Sequence, residues 1–243
     1  MKMMGNGNVP PRPVRQWLRP PAVEARLEEW AEKLKQDGVV EPSESPYVSQ
    51  LLEVPKRDVS GKRVGTRVVI DPRPLNDITF PIYNPPARVD RFGVFLMGRS
   101  AYLQFDMADC YLQFELEPQS RKYVSFTVGS HHYQFCRVPF GLKNAPMHVQ
   151  SEMDRILAPV EGVVTPFMDD ILGGVKVIEE LPVALRAVLD CCERNDISLK
   201  PSKTSIGFPE VKALGFVFSK SGRRPDPEKV HASLAMATPQ TSR

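Results

Sequence analysis

The sequence predicts an α+β protein, with strands and helices in clumps rather than in strict alternation. Two observations carry that reading. Apolar residues repeat at helical spacing over 21–37, after Pro146 and over 179–195, while short β-branched and aromatic runs bounded by Gly and Pro fill the stretches between. No internal repeat interrupts this order. The chain has 243 residues and is 42% hydrophobic, which suits one large domain or two small ones with a real core. Its net charge of +3 permits a nucleic-acid partner without demanding one.

Taken in order, residues 1–20 carry Gly, Asn, several prolines and the basic Lys2, Arg12, Arg15 and Arg19 ahead of the first acid, Glu24. They read as a flexible basic arm. A helix follows from about Pro21 to Asp37, because Val23, Leu27, Trp30 and Leu34 share one face, Pro21 suits a first turn and Gly38 a stop. Strands are expected at 47–54 and 67–71, joined by a basic, mobile hairpin tip, and the prolines at 72, 74, 81, 85 and 86 predict an irregular link. A strand comes next at A-Y-L-Q-F-D (101–106), then a hairpin around Gly129-Ser130. Val149, Met153, Ile156 and Leu157 predict a helix after Pro146, and 179–195 another. Between these helices, V-V-T-P-F-M and I-L-G-G-V read as a hairpin with an aspartate doublet at its tip. Strand-like runs near 197–199 and 211–218 close the chain.

Cys110, Cys136, Cys191 and Cys192 form no C-x-x-C pair and read as reduced thiols of an intracellular protein. His131, His132, His148 and His231 lack companions at zinc spacing. No apolar run reaches membrane length and no secretory signal pattern is present, so no membrane partner is expected. The compartment, cytoplasmic or nuclear, is left open.

Three carboxylates raise a chemical question. Asp169 and Asp170 stand side by side at the predicted hairpin tip, and Asp106 ends a separate apolar strand. An aspartate pair at a turn is commonly no more than a turn, because Asp tolerates turn geometry. If the two strands are neighbours in one sheet, however, three carboxylates converge at one edge. Carboxylates that close repel one another and call for a cation. Mg²⁺ takes hard oxygen ligands and keeps water or phosphate in its shell. Two such ions can activate a hydroxyl and stabilise a leaving pyrophosphate.

Five stretches in order decide between these readings: V-V-I-D-P-R-P-L-N (68–76), F-D-M-A-D-C-Y-L-Q (105–113), V-P-F-G-L-K-N-A-P (138–146), F-M-D-D-I-L (167–172), and L-K-P-S-K-T-S-I-G-F followed by V-K-A-L-G-F-V-F-S-K-S-G (199–222). The series resembles the reverse transcriptase domain of retroelement Pol polyproteins, most closely the gypsy-type LTR retrotransposons, over about residues 20–240. The resemblance implies a right-hand polymerase fold with an antiparallel palm sheet flanked by helices. Fingers would occupy about 21–100 and 120–145, palm about 101–119 and 146–222, and a truncated thumb or connection, disordered in places, would begin within 223–243. It implies RNA-directed DNA polymerase activity with two Mg²⁺, for which Mn²⁺ could substitute. An RNA or DNA template with its primer and dNTPs would be the partners, and other Pol domains such as RNase H and integrase would come from elsewhere.

The resemblance also assigns roles by position. Asp106 and Asp169 look like the two main metal ligands, with Asp170 completing the triad. Tyr111 stands where the family has a bulky gate that excludes a ribose 2′-OH, and ordinary aromatic core packing is its bland alternative. Arg67 matches an arginine that contacts the incoming triphosphate, and Lys56 is placed as a second phosphate contact or a solvated lysine. Phe140 and Gly141 lie where the family lines the nucleotide pocket. Gln150 matches a glutamine near the template, and Lys203 a lysine that protonates the leaving pyrophosphate. Leu214, Gly215 and Phe216 look like a hairpin that grips the primer end.

Departures from the pattern are local. Phe167 replaces the usual Tyr before the doublet, Pro72 replaces an aromatic, Cys110 replaces a Gly, and His148 opens H-V-Q in place of x-F-Q. None removes a carboxylate. No D-[ST]-G, second acidic set or zinc set appears, so an alternative expectation is a catalytically weak remnant that only binds nucleic acid. A metal-dependent nuclease would explain the doublet but not Tyr111, V-P-F-G-L or L-G-F. The ring of Tyr111 argues for deoxynucleotides against a viral RNA-dependent RNA polymerase.

Overall fold

The computed structural model describes residues 18–57, 61–82 and 89–234. Residues 1–17 of the basic arm expected over 1–20, the hairpin tip at 58–60, Pro85 and Pro86, and the last residues from 235 lie outside the described residues. The chain packs as two compact units, Met1–Asn84 with Asp109–Val149 and Pro85–Ala108 with Gln150–Arg243.

In the first unit, helix Pro21–Gln36 buries Leu27 and Ala31, one turn apart on the predicted face. Trp30 sets its ring 5.5 Å from that of Phe126. Gly38 then takes a left-handed φ of +67°, which costs glycine little and ends the helix. Strands Val40–Pro42, His131–Phe135 and Ser125–Val128 form an antiparallel sheet with His131–Phe135 central, and the expected turn is present with Gly129 at φ +55°.

The basic hairpin departs from expectation. Its strands run Leu51–Arg57 and Arg63–Ile70, so the arms extend into the stretch expected to be a mobile tip, while 47–50 stays outside the ladder. Ladder bonds come from the backbone, and the charged side chains at the outer end reach solvent without opposing them. Nor do Pro72 and Pro74 make an irregular link. Pro72 caps helix Arg73–Ile78 and Pro74 sits in its first turn, where a fixed φ and a missing N–H cost nothing.

The second unit is built on a four-stranded antiparallel sheet in the order Val164–Phe167, Asp170–Val175, Ala101–Asp106, Ser205–Phe208. Helix Leu181–Arg194 forms as expected and buries Ala184, Val188, Cys191 and Cys192. Helix Ala145–Leu157, whose residues up to Val149 belong to the first unit, also forms as expected and starts with Pro146 in its first turn. Helix Val89–Leu96 was not anticipated, because eight residues interrupted by Gly93 give a weak period. Its Phe92 and Leu96 join Tyr102, Leu172, Val211 and Phe218 in one buried cluster.

The closing strands are also redistributed. Leu199 makes only an isolated bridge to Met107, and Ser205–Phe208 supplies the sheet strand instead. The strand-like run read at 211–218 divides into a hairpin, Glu210–Ala213 and Phe216–Ser219, with its turn at Leu214-Gly215 where the resemblance implied one, and Gly222–Pro225 is a third strand. Leu214 and Gly215 both take positive φ, +55° and +79°, as a two-residue hairpin turn requires. Helix Pro227–Leu234 follows.

Candidate active site

Sheet register brings the carboxylates together. Asp106, last in its strand, lies directly opposite Asp170, first in the neighbouring strand. Phe167 pairs with Asp170 across the hairpin, so Met168 and Asp169 form its two-residue turn. Met168 takes φ +55° there. The Asp169 carbonyl accepts from Met107 N–H at 3.0 Å, which ties the turn to the residue after Asp106. Opposed like charges disfavour one another. Burial, then the charges of Asp169 and Asp106, push the Asp170 carboxyl up to about 6, with Lys203 pulling the other way.

Lys203 belongs to the same edge. Its Nζ donates to Asp106 Oδ2 at 2.9 Å. The Lys200 N–H donates to the Asp106 carbonyl at 2.8 Å and the Ala108 N–H to that of Ser198 at 3.0 Å, so the segment carrying Lys203 is laced to the Asp106 strand end. The Asp106 carboxylate, with the other two carboxylates behind it, raises the Lys203 ammonium above its ordinary value. The donors fit a hard divalent cation, since they are oxygens that destabilise one another when charged and empty. As the side chains stand, no group of three acid, histidine or cysteine side chains among the described residues closes a cation site.

Gln150 supports the same turn. It is buried, and its Nε2 donates to the Pro166 carbonyl at 3.0 Å and to Asp154 Oδ1 at 2.9 Å, while its Oε1 accepts from Met168 N–H at 3.1 Å. Both ends of the amide therefore hold the hairpin that carries the doublet. Phe167 stands edge-on to Phe92 with centroids 5.2 Å apart, an apolar setting that a phenylalanine satisfies without a hydroxyl.

Two features went unread in the sequence. Arg99, in G-R-S, looks like a surface charge, yet it is 9% exposed and donates to the Phe95, Gly162 and Gly174 carbonyls. Gly173 and Gly174 read as strand glycines, yet added Cβ atoms would stand 2.0 Å from the Val163 carbonyl and 2.3 Å from the Ala101 carbonyl. A double glycine beside the doublet was the available signal.

The residues expected to meet the nucleotide lie in the first unit. Val54 pairs with Arg67 and Lys56 with Gly65, so Lys56 and Arg67 share one face of the basic hairpin. The Arg67 guanidinium stacks over Phe140, 4.9 Å from the ring centroid. Phe140 in turn meets Tyr111 edge-on, with centroids 5.3 Å apart. Gly141 takes φ +94°, and a Cβ on it would lie 2.9 Å from the Pro72 ring. Asn76 Nδ2 donates to the Gly141 carbonyl at 2.9 Å and its Oδ1 accepts from Lys143 N–H at 2.8 Å, which fixes that loop. Back in the second unit, Phe216 follows the Leu214-Gly215 turn and carries Arg223 over its ring at 5.2 Å.

Comparison with known proteins adds a family. The profile described as "Reverse transcriptase (RNA-dependent DNA polymerase)" matches residues 54–218. The Retrovirus-related Pol polyprotein from transposon gypsy of Drosophila melanogaster is 32% identical over 203 residues, 82% of this chain and 20% of that protein. The corresponding polyprotein from transposon 297 of the same fly is 31% identical over 222 residues, 89% of this chain and 20% of that one. The chain thus spans about a fifth of these relatives. Among solved structures, a foamy viral protease-reverse transcriptase in complex with double-stranded DNA superposes with a TM-score of 0.84 at 22% identity, covering 97% of this chain and 40% of that one. The same viral protein with an RNA/DNA hybrid gives 0.82 at 20% identity, covering 98% and 31%. These likenesses show a shared α+β polymerase fold. Among the described residues, no helix is long and apolar enough to cross a membrane.

Proposed function

We propose what this site does from one premise: the chain belongs to the reverse transcriptase (RNA-dependent DNA polymerase) family. It acts as the polymerase domain of a retroelement and adds deoxynucleotides to a primer 3′ end on an RNA or DNA template. One observation carries the reading. Asp106 and Asp170 are opposed in register at a sheet edge, with Asp169 in the adjoining turn.

In this reading the palm lies at about 101–119 and 146–222, and the fingers at about 21–100 and 120–145. Asp106, Asp169 and Asp170 would hold two divalent ions, Mg²⁺ or in its place Mn²⁺. Bound there, the ions would make the primer hydroxyl more acidic and offset charge on the leaving phosphates. The primer 3′ hydroxyl gives its proton to solvent water and its oxygen bonds to the α-phosphorus as the bond from that phosphorus to the bridging β-phosphate oxygen breaks, and pyrophosphate departs. Lys203, an ammonium beside the carboxylates, supplies a proton or a positive charge to that leaving group.

Arg67 presents a guanidinium fork suited to phosphate oxygens, and Phe140 holds that fork by its face. Lys56 adds a second charge on the same hairpin face. Tyr111, braced by Phe140, excludes a 2′-hydroxyl, and Gly141 lets a ligand approach the backbone. Gln150 sets the turn of the doublet and acts toward the template through it. Leu214, Gly215 and Phe216 present the hairpin that steadies the primer. Most of the work is positioning and charge neutralisation. The foamy viral neighbours, solved with double-stranded DNA and with an RNA/DNA hybrid, support a duplex template-primer as the partner.

Primer extension tests this. Purified protein, poly(rA)/oligo(dT), labelled dTTP and Mg²⁺ should give incorporation that Asp169→Asn abolishes. Folded wild-type protein that binds the template-primer and extends nothing would refute it.

A further inference from the structure

The carboxylate edge has a cationic partner within the chain. Lys203 Nζ stands 2.9 Å from Asp106 Oδ2, and it is the only ion pair among the described residues that involves Asp106, Asp169 or Asp170. Its backbone is fixed to the Asp106 strand end. Lys200 N–H bonds the Asp106 carbonyl at 2.8 Å, and Lys203 N–H bonds the Lys200 carbonyl at 3.0 Å within the 3₁₀ turn Pro201–Lys203. The side chain itself is free to swing, being 59% exposed against 16% for Asp106.

We propose that the Lys203 ammonium is the resident counter-cation of the carboxylate edge, and that a divalent ion must displace it from Asp106 to bind. This rests on the assignment of these carboxylates as cation ligands. The chemistry favours exchange. One ammonium satisfies a single oxygen of one carboxylate, whereas a divalent ion takes oxygens from several and relieves their mutual repulsion. The bond to be broken is weak, because an ion pair with so exposed a partner is worth about 1 kcal/mol or less. Cation binding then has a second consequence: it releases the ammonium from Asp106, so that Lys203 becomes available to an incoming phosphate only after the site is charged with metal. The same lysine thus guards the empty site and is armed by filling it.

Mn²⁺ binding to the full chain, followed by electron paramagnetic resonance without nucleotide or template, tests this apart from catalysis. Wild type is compared with Lys203→Met, Lys203→Arg and Lys200→Met, each checked for native circular dichroism. Lys203→Met should bind Mn²⁺ about three- to fivefold more tightly, the upper figure being the factor that removal of a competing bond of about 1 kcal/mol gives. Lys203→Arg, which keeps a charged donor, should stay within about twofold of wild type. Lys200→Met removes a nearby charge whose backbone, not its ammonium, bonds the strand of Asp106, and should also change little. Equal affinity in wild type and Lys203→Met would overturn the proposal. So would equal tightening by Lys200→Met, since net charge alone would then account for the effect. Absence of Mn²⁺ binding in every variant would instead refute the cation-ligand assignment, and this proposal with it.

Discussion

Replacing Asp170 by asparagine should stabilise the metal-free protein, and only above a definite pH. Burial and the neighbouring charges of Asp169 and Asp106 raise this carboxyl from 3.8 to about 6 in the folded chain. A raised carboxyl holds its proton more tightly folded than unfolded. The stability this gives is fully present below about pH 3.8 and is lost as the pH rises through about 6. Past that point, the folded chain carries a charge that the unfolded chain solvates better. Two pH units correspond to about 3 kcal/mol, and solvent screening of a half-buried group reduces that to about 1–2 kcal/mol. Asparagine keeps the shape and removes the titration. Urea unfolding of both proteins in EDTA at low salt, at intervals from pH 4 to pH 8, reads the difference. The curves should lie close together at pH 4, separate between about pH 4 and 6, and stay apart by a constant gap of about 1–2 kcal/mol from pH 7 to pH 8 with the variant more stable. A variant equally favoured at pH 4 and pH 8, or less stable throughout, would refute the electrostatic account of this edge.

Three further outcomes are expected. Gly173→Ala would drive a Cβ to 2.0 Å from the Val163 carbonyl, a backbone atom that cannot swing aside, so unfolding should show a loss of about 3 kcal/mol or more. Gln150→Leu strands the buried Pro166 carbonyl and Met168 N–H; it should lower kcat in primer extension by at least about tenfold while the dNTP KM changes little, and Gln150→Glu should recover part of the loss through its remaining acceptor. Burial pushes the Cys192 thiol up to about 11, and burial with the Glu41 carboxylate does the same for Cys136, so iodoacetamide should label both slowly at pH 8 and Glu41→Gln should speed Cys136 alone in peptide mass spectra.

Legibility in the sequence followed the strength of local signals. Helix Pro21–Gln36 could be read because four apolar residues at helical spacing, a first-turn proline and a terminal glycine agree. The doublet hairpin was legible for the same reason: apolar runs on both sides leave only the tip for two charges. The inner arms of the basic hairpin, 51–54 and 67–70, were legible as well, but its outer ends at 55–57 and 63–66 were not, since Lys, Arg and Gly there hide pairing that backbone groups make. Helix Val89–Leu96 is specified by the cluster that Phe92 and Leu96 complete, which is tertiary information. Within the site, the residue types of Asp106, Asp169, Asp170 and Lys203 were visible, but the bond from Lys203 to Asp106 was not, because it joins residues 97 positions apart. Gln150 was placed near the template by resemblance. Its bonds to the doublet turn appear only when helix Ala145–Leu157 and the hairpin are seen together.

The carboxylate edge depends on register, and register depends on the two glycines. In an antiparallel pair a slip of one residue sends every side chain to the other face, so Asp170 would leave the face of Asp106. Charges cannot prevent that slip, for they repel in the native alignment and gain by separating. Shape can. Only a residue without Cβ fits where Gly173 meets the Val163 carbonyl and Gly174 meets the Ala101 carbonyl. A slip in either direction would bring Leu172 or Val175 into one of those positions and drive a branched side chain into backbone. Arg99 closes the same end, bonding the Gly162 and Gly174 carbonyls from its buried position. An apolar strand that gives up two side chains beside its functional turn loses packing there, and the return is a fixed alignment in which Asp106 and Asp170 stay opposed although they repel.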